Sequence, residues 1–204
     1  MTQTVLPRRR RLRHAWALPN LLTYGRLAAV PVVAALVLPM PGEDWMRWTA
    51  LGVYTIACIT DFFDGYLARI WKQQSPLGRM LDPIADKLLV ATTLLAVAAN
   101  HTLCGWTLWA AIIILCREFL VSGLRESLAG MKTELPVSTV AKWKTTAQMF
   151  ALGFFIAGSA GETVLPGTVK IGEALLWAAA ALTLYTAYDY AQAGWPHFGE
   201  EEEG

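Results

Sequence analysis

The chain has 204 residues, 55% of them hydrophobic and only 16% charged, with a mean hydropathy of +0.39. Soluble domains run at about 45–50% apolar and roughly 25% charged, so there is too little charge here to cover a water-exposed surface. Seventeen basic residues against sixteen acidic ones leave a net charge of +1, which excludes a nucleic-acid binder resting on bulk positive charge.

In chain order, a basic segment at 1–15 holds Arg8, Arg9, Arg10, Arg11 and Arg13. A predicted six-helix domain follows at 16–194, and an acidic tail at 195–204 closes on Glu200 to Glu203. A membrane-spanning helix needs about 20 mostly apolar residues. Six stretches meet or approach that length: 18–38, 48–66, 84–99, 106–124, 145–160 and 171–191. The first is long enough to span and carries Arg26, so it reads as an uncleaved span rather than a signal peptide. Turn signals separate the stretches at Pro39-Met40-Pro41-Gly42, at Ser75-Pro76-Leu77-Gly78 and over 161–167. Several of the nine tryptophans stand near the ends of apolar runs, as in a membrane-interface belt. Cys58, Cys104 and Cys116 show no CxxC spacing and read as small buried hydrophobes rather than a disulfide frame or zinc site.

The basic residues set the orientation. Arg69, Lys72 and Arg79 lie between spans two and three, and Arg125, Lys132, Lys142 and Lys144 between four and five, whereas the other side keeps Arg47 and Lys170. The positive-inside rule then places both termini in the cytoplasm. The expected fold is an all-α integral membrane protein with six transmembrane helices.

Four aspartates interrupt this pattern. Asp61 and Asp64 stand three apart, and Asp82 and Asp86 four apart, so each pair falls on one helix face. A short connection makes the two helices antiparallel neighbours, which brings the pairs to one membrane depth. Four carboxylates so placed repel strongly unless protonated or bridged by cations. Hard oxygen ligands suit Mg²⁺ or Mn²⁺, in a two-metal cluster able to bridge a pyrophosphate at the lipid–water boundary. Gly65, Ala68 and Gly78 leave room for a phosphate or planar group to approach the backbone, with Arg69 as a phosphate partner. Other uses of the same residues stay open: Asp82 before Pro83 suits a helix N-cap, Asp86 could pair with Lys87 or Arg79, and Gly65 and Ala68 could serve close helix packing.

The pattern D-x-x-D-G-x-x-A-R-x8-G-x-x-x-D-x-x-x-D, running from Asp61 to Asp86, resembles the signature of the CDP-alcohol phosphotransferases. That resemblance implies displacement of CMP from a CDP-linked donor, usually CDP-diacylglycerol, by an alcohol, at the cytoplasmic membrane face. It implies that Asp61, Asp64, Asp82 and Asp86 ligate two Mg²⁺ or Mn²⁺ ions and that Asp86 is the general base. Gly65, Ala68, Arg69, Gly78 and Asp61 would receive the cytidine nucleotide.

Two further strings concern the acceptor. Arg117 and Glu118 interrupt span four, with Arg125 eight residues after Arg117, and Lys142 and Lys144 open span five. Buried basic residues suit an anionic acceptor; interface anchoring of the lysines and an Arg117–Glu118 pair are the plain alternatives. These strings, with the opening Pro19-Asn20-Leu21-Leu22-Thr23-Tyr24-Gly25-Arg26, resemble the family branch in which glycerol 3-phosphate attacks the β-phosphorus of CDP-diacylglycerol. By that resemblance Asn20, Thr23 and Arg26 line the donor site, while Arg117, Arg125, Lys142 and Lys144 bind the acceptor phosphate. It further implies a homodimer in a bacterial inner membrane. Inositol phosphate, serine or phosphatidylglycerol as acceptor, or a cation path lined by the aspartates, are the competing readings.

Overall fold

The computed structural model describes residues 18–39, 43–71, 76–130 and 139–199. Every regular element among them is a helix: α1 (Leu18–Val37), α2 (Asp44–Trp71), α3 (Pro76–Ala99), α4 (Thr107–Gly130), α5 (Thr139–Val164) and α6 (Thr168–Gly199). The six apolar stretches each map to one helix, but most of the helices outrun them. Hydropathy marks only the oily middle of a helix, and the backbone ladder continues where the sequence turns polar. Among the described residues two helices, over Asn20–Val37 and Thr168–Tyr188, are by themselves long and apolar enough to cross a membrane.

The largest shift is in α3, which begins at Pro76 rather than near residue 84. Proline lacks the N–H that the first helical turn leaves unused, so Pro76 starts the helix instead of a turn. Asp82 and Pro83 therefore lie in the helix interior, and the N-cap reading of Asp82 does not hold.

The chain divides into two compact units, residues 1–96 and 97–204. In the first, α1 packs along α2. Ala50, Tyr54 and Ala57 form one buried stripe on α2, and Val33 and Val37 are buried on α1. The alanines let the two backbones approach closely. On the outside of the same unit stand Ile56, Ile59, Phe63 and Leu95, each at least half exposed.

In the second unit, α5 and α6 form a tight hairpin and α4 packs on α6. Its core holds Ile114, Leu152, Phe155, Ile156 and Leu176, while Trp109, Leu120, Phe150 and Leu184 face outward. Cys104 and Cys116 are exposed and Cys58 is half-buried, all as free thiols. The expectation of buried cysteines is corrected for the first two: apolar neighbours in this sequence mark the outside of the protein as readily as its core.

Two local devices shape the hairpin. Gly158 takes φ 45° and ψ −125°, breaking the helical path inside α5, a conformation open to glycine because it has no Cβ. At Gly161 an added Cβ would stand 2.6 Å from Thr168 Cγ2 and 2.9 Å from the Ala157 Cβ. Gly161→Ala is therefore expected to destabilise the protein by about 1–3 kcal/mol, read as a lower thermal unfolding temperature in detergent. Adding Thr168→Ser, which removes Cγ2, should restore part of the loss.

Past the end of α5 the chain reverses through Gly167, at φ 91°. Glu162 spans this turn: its carboxylate accepts from the Gly167 amide at 2.7 Å and the Val169 amide at 2.9 Å. These bonds satisfy donors at the start of α6 and hold the Glu162 carboxyl below the usual carboxylate range. A depressed folded-state value gives stability that is complete above the unfolded-state value, about 4.3, and is lost as pH falls through the folded-state value. Glu162→Gln should accordingly melt below wild type at neutral pH, with the gap closing as the pH drops below about 4. A gap that stays constant on acidification would sink this reading.

Candidate active site

In the first unit the site grows from one face of α1. Asn20, Thr23 and Arg26 follow one another at three-residue spacing, and all are buried. Among the described residues Arg26 is the largest of the fully buried side chains, only 1% exposed. An uncompensated guanidinium at such a place would be costly, and α2 supplies the answer: Arg26 Nη1 forms an ion pair with Asp61 Oδ1. From α3, Asp82 Oδ1 accepts a hydrogen bond of 2.6 Å from Thr23 Oγ1. The polar face of α1 thus grips one aspartate from each of the next two helices.

The aspartates also sense one another. Asp61 and Asp82 are close enough to interact electrostatically, and Asp86 in turn acts on Tyr54 and Cys58. Positions 54, 58 and 61 ascending along α2 thus meet 86 and 82 descending along α3, the order of antiparallel neighbours. Of the expected meeting of the two carboxylate pairs, the approach of Asp61 to Asp82 is present. The side chains of Asp64, Gly65, Ala68 and Arg69 lie outside the described residues, although α2 carries their backbone. Gly78 is buried in the first turns of α3.

Among the described residues no three Asp, Glu, His or Cys side chains converge on one ion-sized point. The donor chemistry nonetheless fits a hard divalent cation: carboxylate oxygens from two helices, with Asp61 paired here to Arg26 and Asp82 hydrogen-bonded by Thr23. Asp61, Asp82 and Asp86 are the described residues that would contribute to holding such an ion.

A second polar cluster occupies the second unit. Arg117 on α4 is 7% exposed and Lys144 on α5 is 5% exposed. Both turn to Glu118: Lys144 Nζ pairs with its Oε1, and Arg117 Nη1 lies 3.4 Å from the same oxygen. Arg117 Nη2 donates to Thr186 Oγ1 of α6 at 2.6 Å, and Gln148 is buried one turn beyond Lys144. Lys142, by contrast, is exposed, and the Arg125 side chain lies outside the described residues. The structure therefore brings together two of the four predicted phosphate-binding cations, and the Arg117–Glu118 pair foreseen as the plain alternative is present as well. Sequence reasoning passed over Thr186 and Tyr54. For Thr186 a signal existed: Thr183 and Thr186 stand three apart inside an apolar helix and both are buried, the pattern of a polar stripe turned inward.

Charged and polar groups closed inside, with isoleucine, leucine, phenylalanine and tryptophan turned outward, define a helical membrane protein. Within that class the chain belongs to the CDP-alcohol phosphatidyltransferase family, which it matches over residues 16–185. It is similar to proteins named CDP-diacylglycerol–glycerol-3-phosphate 3-phosphatidyltransferase from three bacteria. The protein from Cereibacter sphaeroides is 39% identical, with 92% of this chain and 99% of the relative aligned. That from Rickettsia bellii is 44% identical over 86% of this chain and 94% of the relative. That from Pseudomonas fluorescens is 40% identical over 88% and 91% respectively.

Proposed function

We propose that this chain transfers the phosphatidyl group of CDP-diacylglycerol to glycerol 3-phosphate, giving phosphatidylglycerol phosphate and CMP. One observation carries the reading: relatives named for this reaction align over 86% or more of this chain. The residues support it from below. An acceptor hydroxyl oxygen attacks the β-phosphorus, the bond from that phosphorus to the CMP oxygen breaks, and CMP leaves. The Asp86 carboxylate takes the hydroxyl proton.

Two divalent cations, Mg²⁺ or Mn²⁺, held by Asp61, Asp64, Asp82 and Asp86, would supply neutralisation of the pyrophosphate charge when bound. Asn20, Thr23 and Arg26, with Gly65, Ala68, Arg69 and Gly78, receive the CDP moiety. Thr23 and Arg26 also orient Asp82 and Asp61, whose carboxylates they contact. Arg117 and Lys144 bind the acceptor phosphate, joined by Arg125 and Lys142. In this reading all six helices cross a bacterial inner membrane, both termini and the active site face the cytoplasm, and the chain works as a homodimer.

The test is CMP release by purified protein given CDP-diacylglycerol, Mg²⁺ or Mn²⁺, and one acceptor at a time. Release with glycerol 3-phosphate, and not with serine or inositol phosphate, is the expected result. Turnover with one of the others alone would move the chain to a sister activity.

A further inference from the structure

Two buried cations on α4 and α5 share one anion, and that anion belongs to the protein. Lys144 and Arg117 are each more than nine-tenths buried and both address Glu118 Oε1. Glu118 itself is more open, its side chain 23% exposed, so an anion arriving from water meets the carboxylate before it meets the cations. We propose that Glu118 is a positioning residue that occupies the acceptor-phosphate place in the empty enzyme and sets the affinity for that phosphate. The inference rests on the reading of Arg117 and Lys144 as the acceptor-phosphate pair.

The physical reasoning is a competition. Two cations closed away from water need a counter-charge at all times, because a buried charge left uncompensated is strongly unfavourable. A carboxylate supplied by the protein meets that need between turnovers and keeps the lysine and the guanidinium aimed at one point. A phosphate carries more charge and more acceptor oxygens than a carboxylate, so it can take over the same donors while Glu118 turns toward solvent. The competition weakens phosphate binding, and it lets the phosphorylated product leave because Glu118 returns as the product departs. Thr186, which accepts from the other nitrogen of Arg117, holds the guanidinium plane during the exchange.

Full-length protein in detergent tests this. Glu118→Gln keeps the shape and removes the charge, and it is expected to lower the KM for glycerol 3-phosphate by about three- to tenfold while kcat does not rise. Inorganic phosphate should raise the melting temperature of Glu118→Gln more than that of wild type, because it fills the missing charge. If Glu118→Gln folds only in phosphate-containing buffer, the proposal stands. An unchanged or raised KM, with no larger phosphate stabilisation, overturns it. If Glu118→Gln folds in neither buffer, Glu118→Asp decides: its shorter side chain draws back from Lys144, so a lowered KM supports the proposal and a wild-type KM overturns it. Lys144→Ala separates this failure from that of the acceptor reading. An unchanged KM in Lys144→Ala removes the acceptor site itself, whereas a raised KM there with no effect at Glu118 removes only the role of the carboxylate.

Discussion

Asp86→Asn is expected to lower kcat for CMP release by about 10²–10⁴-fold while the protein stays folded, the usual span for loss of a general base. The substitution keeps the size of the side chain and removes its capacity to accept a proton. Asp86 lies on α3 between the buried Ala85 and Leu89, near enough to Tyr54 and Cys58 of α2 to act on them electrostatically. The KM for glycerol 3-phosphate should move little, since in the proposed reading Asp86 acts on the reacting hydroxyl and not on the acceptor phosphate. A kcat within tenfold of wild type would remove Asp86 from the base role.

The second large effect concerns stability. Arg26→Leu should cost about 3 kcal/mol or more, measured as thermal unfolding in detergent, because it deletes one partner of a buried ion pair. Asp61 keeps some access to solvent, with 34% of its side chain exposed, which places the expected loss at the low end of the range for such pairs. Arg26→Leu combined with Asp61→Asn should recover a large share of the loss, since neither residue is then charged and unmatched. Arg26→Lys should fall between, keeping the charge but losing the planar fork that a guanidinium offers a carboxylate. The double variant is expected to regain stability and not activity. Equal stability of Arg26→Leu and wild type would show that the pair contributes nothing to the fold.

The sequence made some of this visible and hid the rest for physical reasons. The approach of Asp61 to Asp82 was legible because helical spacing places Asp82 and Asp86 on one face, and the short connection after α2 leaves Asp61 few other neighbours. The gripping face of α1 was not legible from periodicity: Asn20, Thr23 and Arg26 were assigned by resemblance, and only their burial and their bonds to Asp61 and Asp82 give them a physical reason. Helix ends were understated wherever a helix passes from apolar to polar surroundings, as α3 does between Pro76 and Pro83. The break at Gly158 left no mark, because one glycine among alanines and phenylalanines reads equally well as packing. Cys116 was misplaced by a rule made for water-soluble cores. Lys142 and Lys144, two residues apart and alike in type, could not be told apart by sequence; a helix turns about 200° in two residues, so one is exposed and the other buried.

The burial of Arg26 also bears on how the protein is made. During synthesis α1 is complete before residue 61 exists, and at ordinary elongation rates that interval lasts on the order of seconds. An arginine held at the centre of an isolated helix in the bilayer costs about 2.5–3.5 kcal/mol on insertion scales. Arg26 is the ninth of the twenty residues of α1, about 12 Å from its start at the rise of a helix, so its long side chain can extend toward the headgroups while it waits. Only when α2 delivers Asp61 can the guanidinium withdraw into the protein. The first two helices therefore settle as a pair, and a nascent chain stopped before Asp61 should be extracted from the membrane more easily than one stopped after α2.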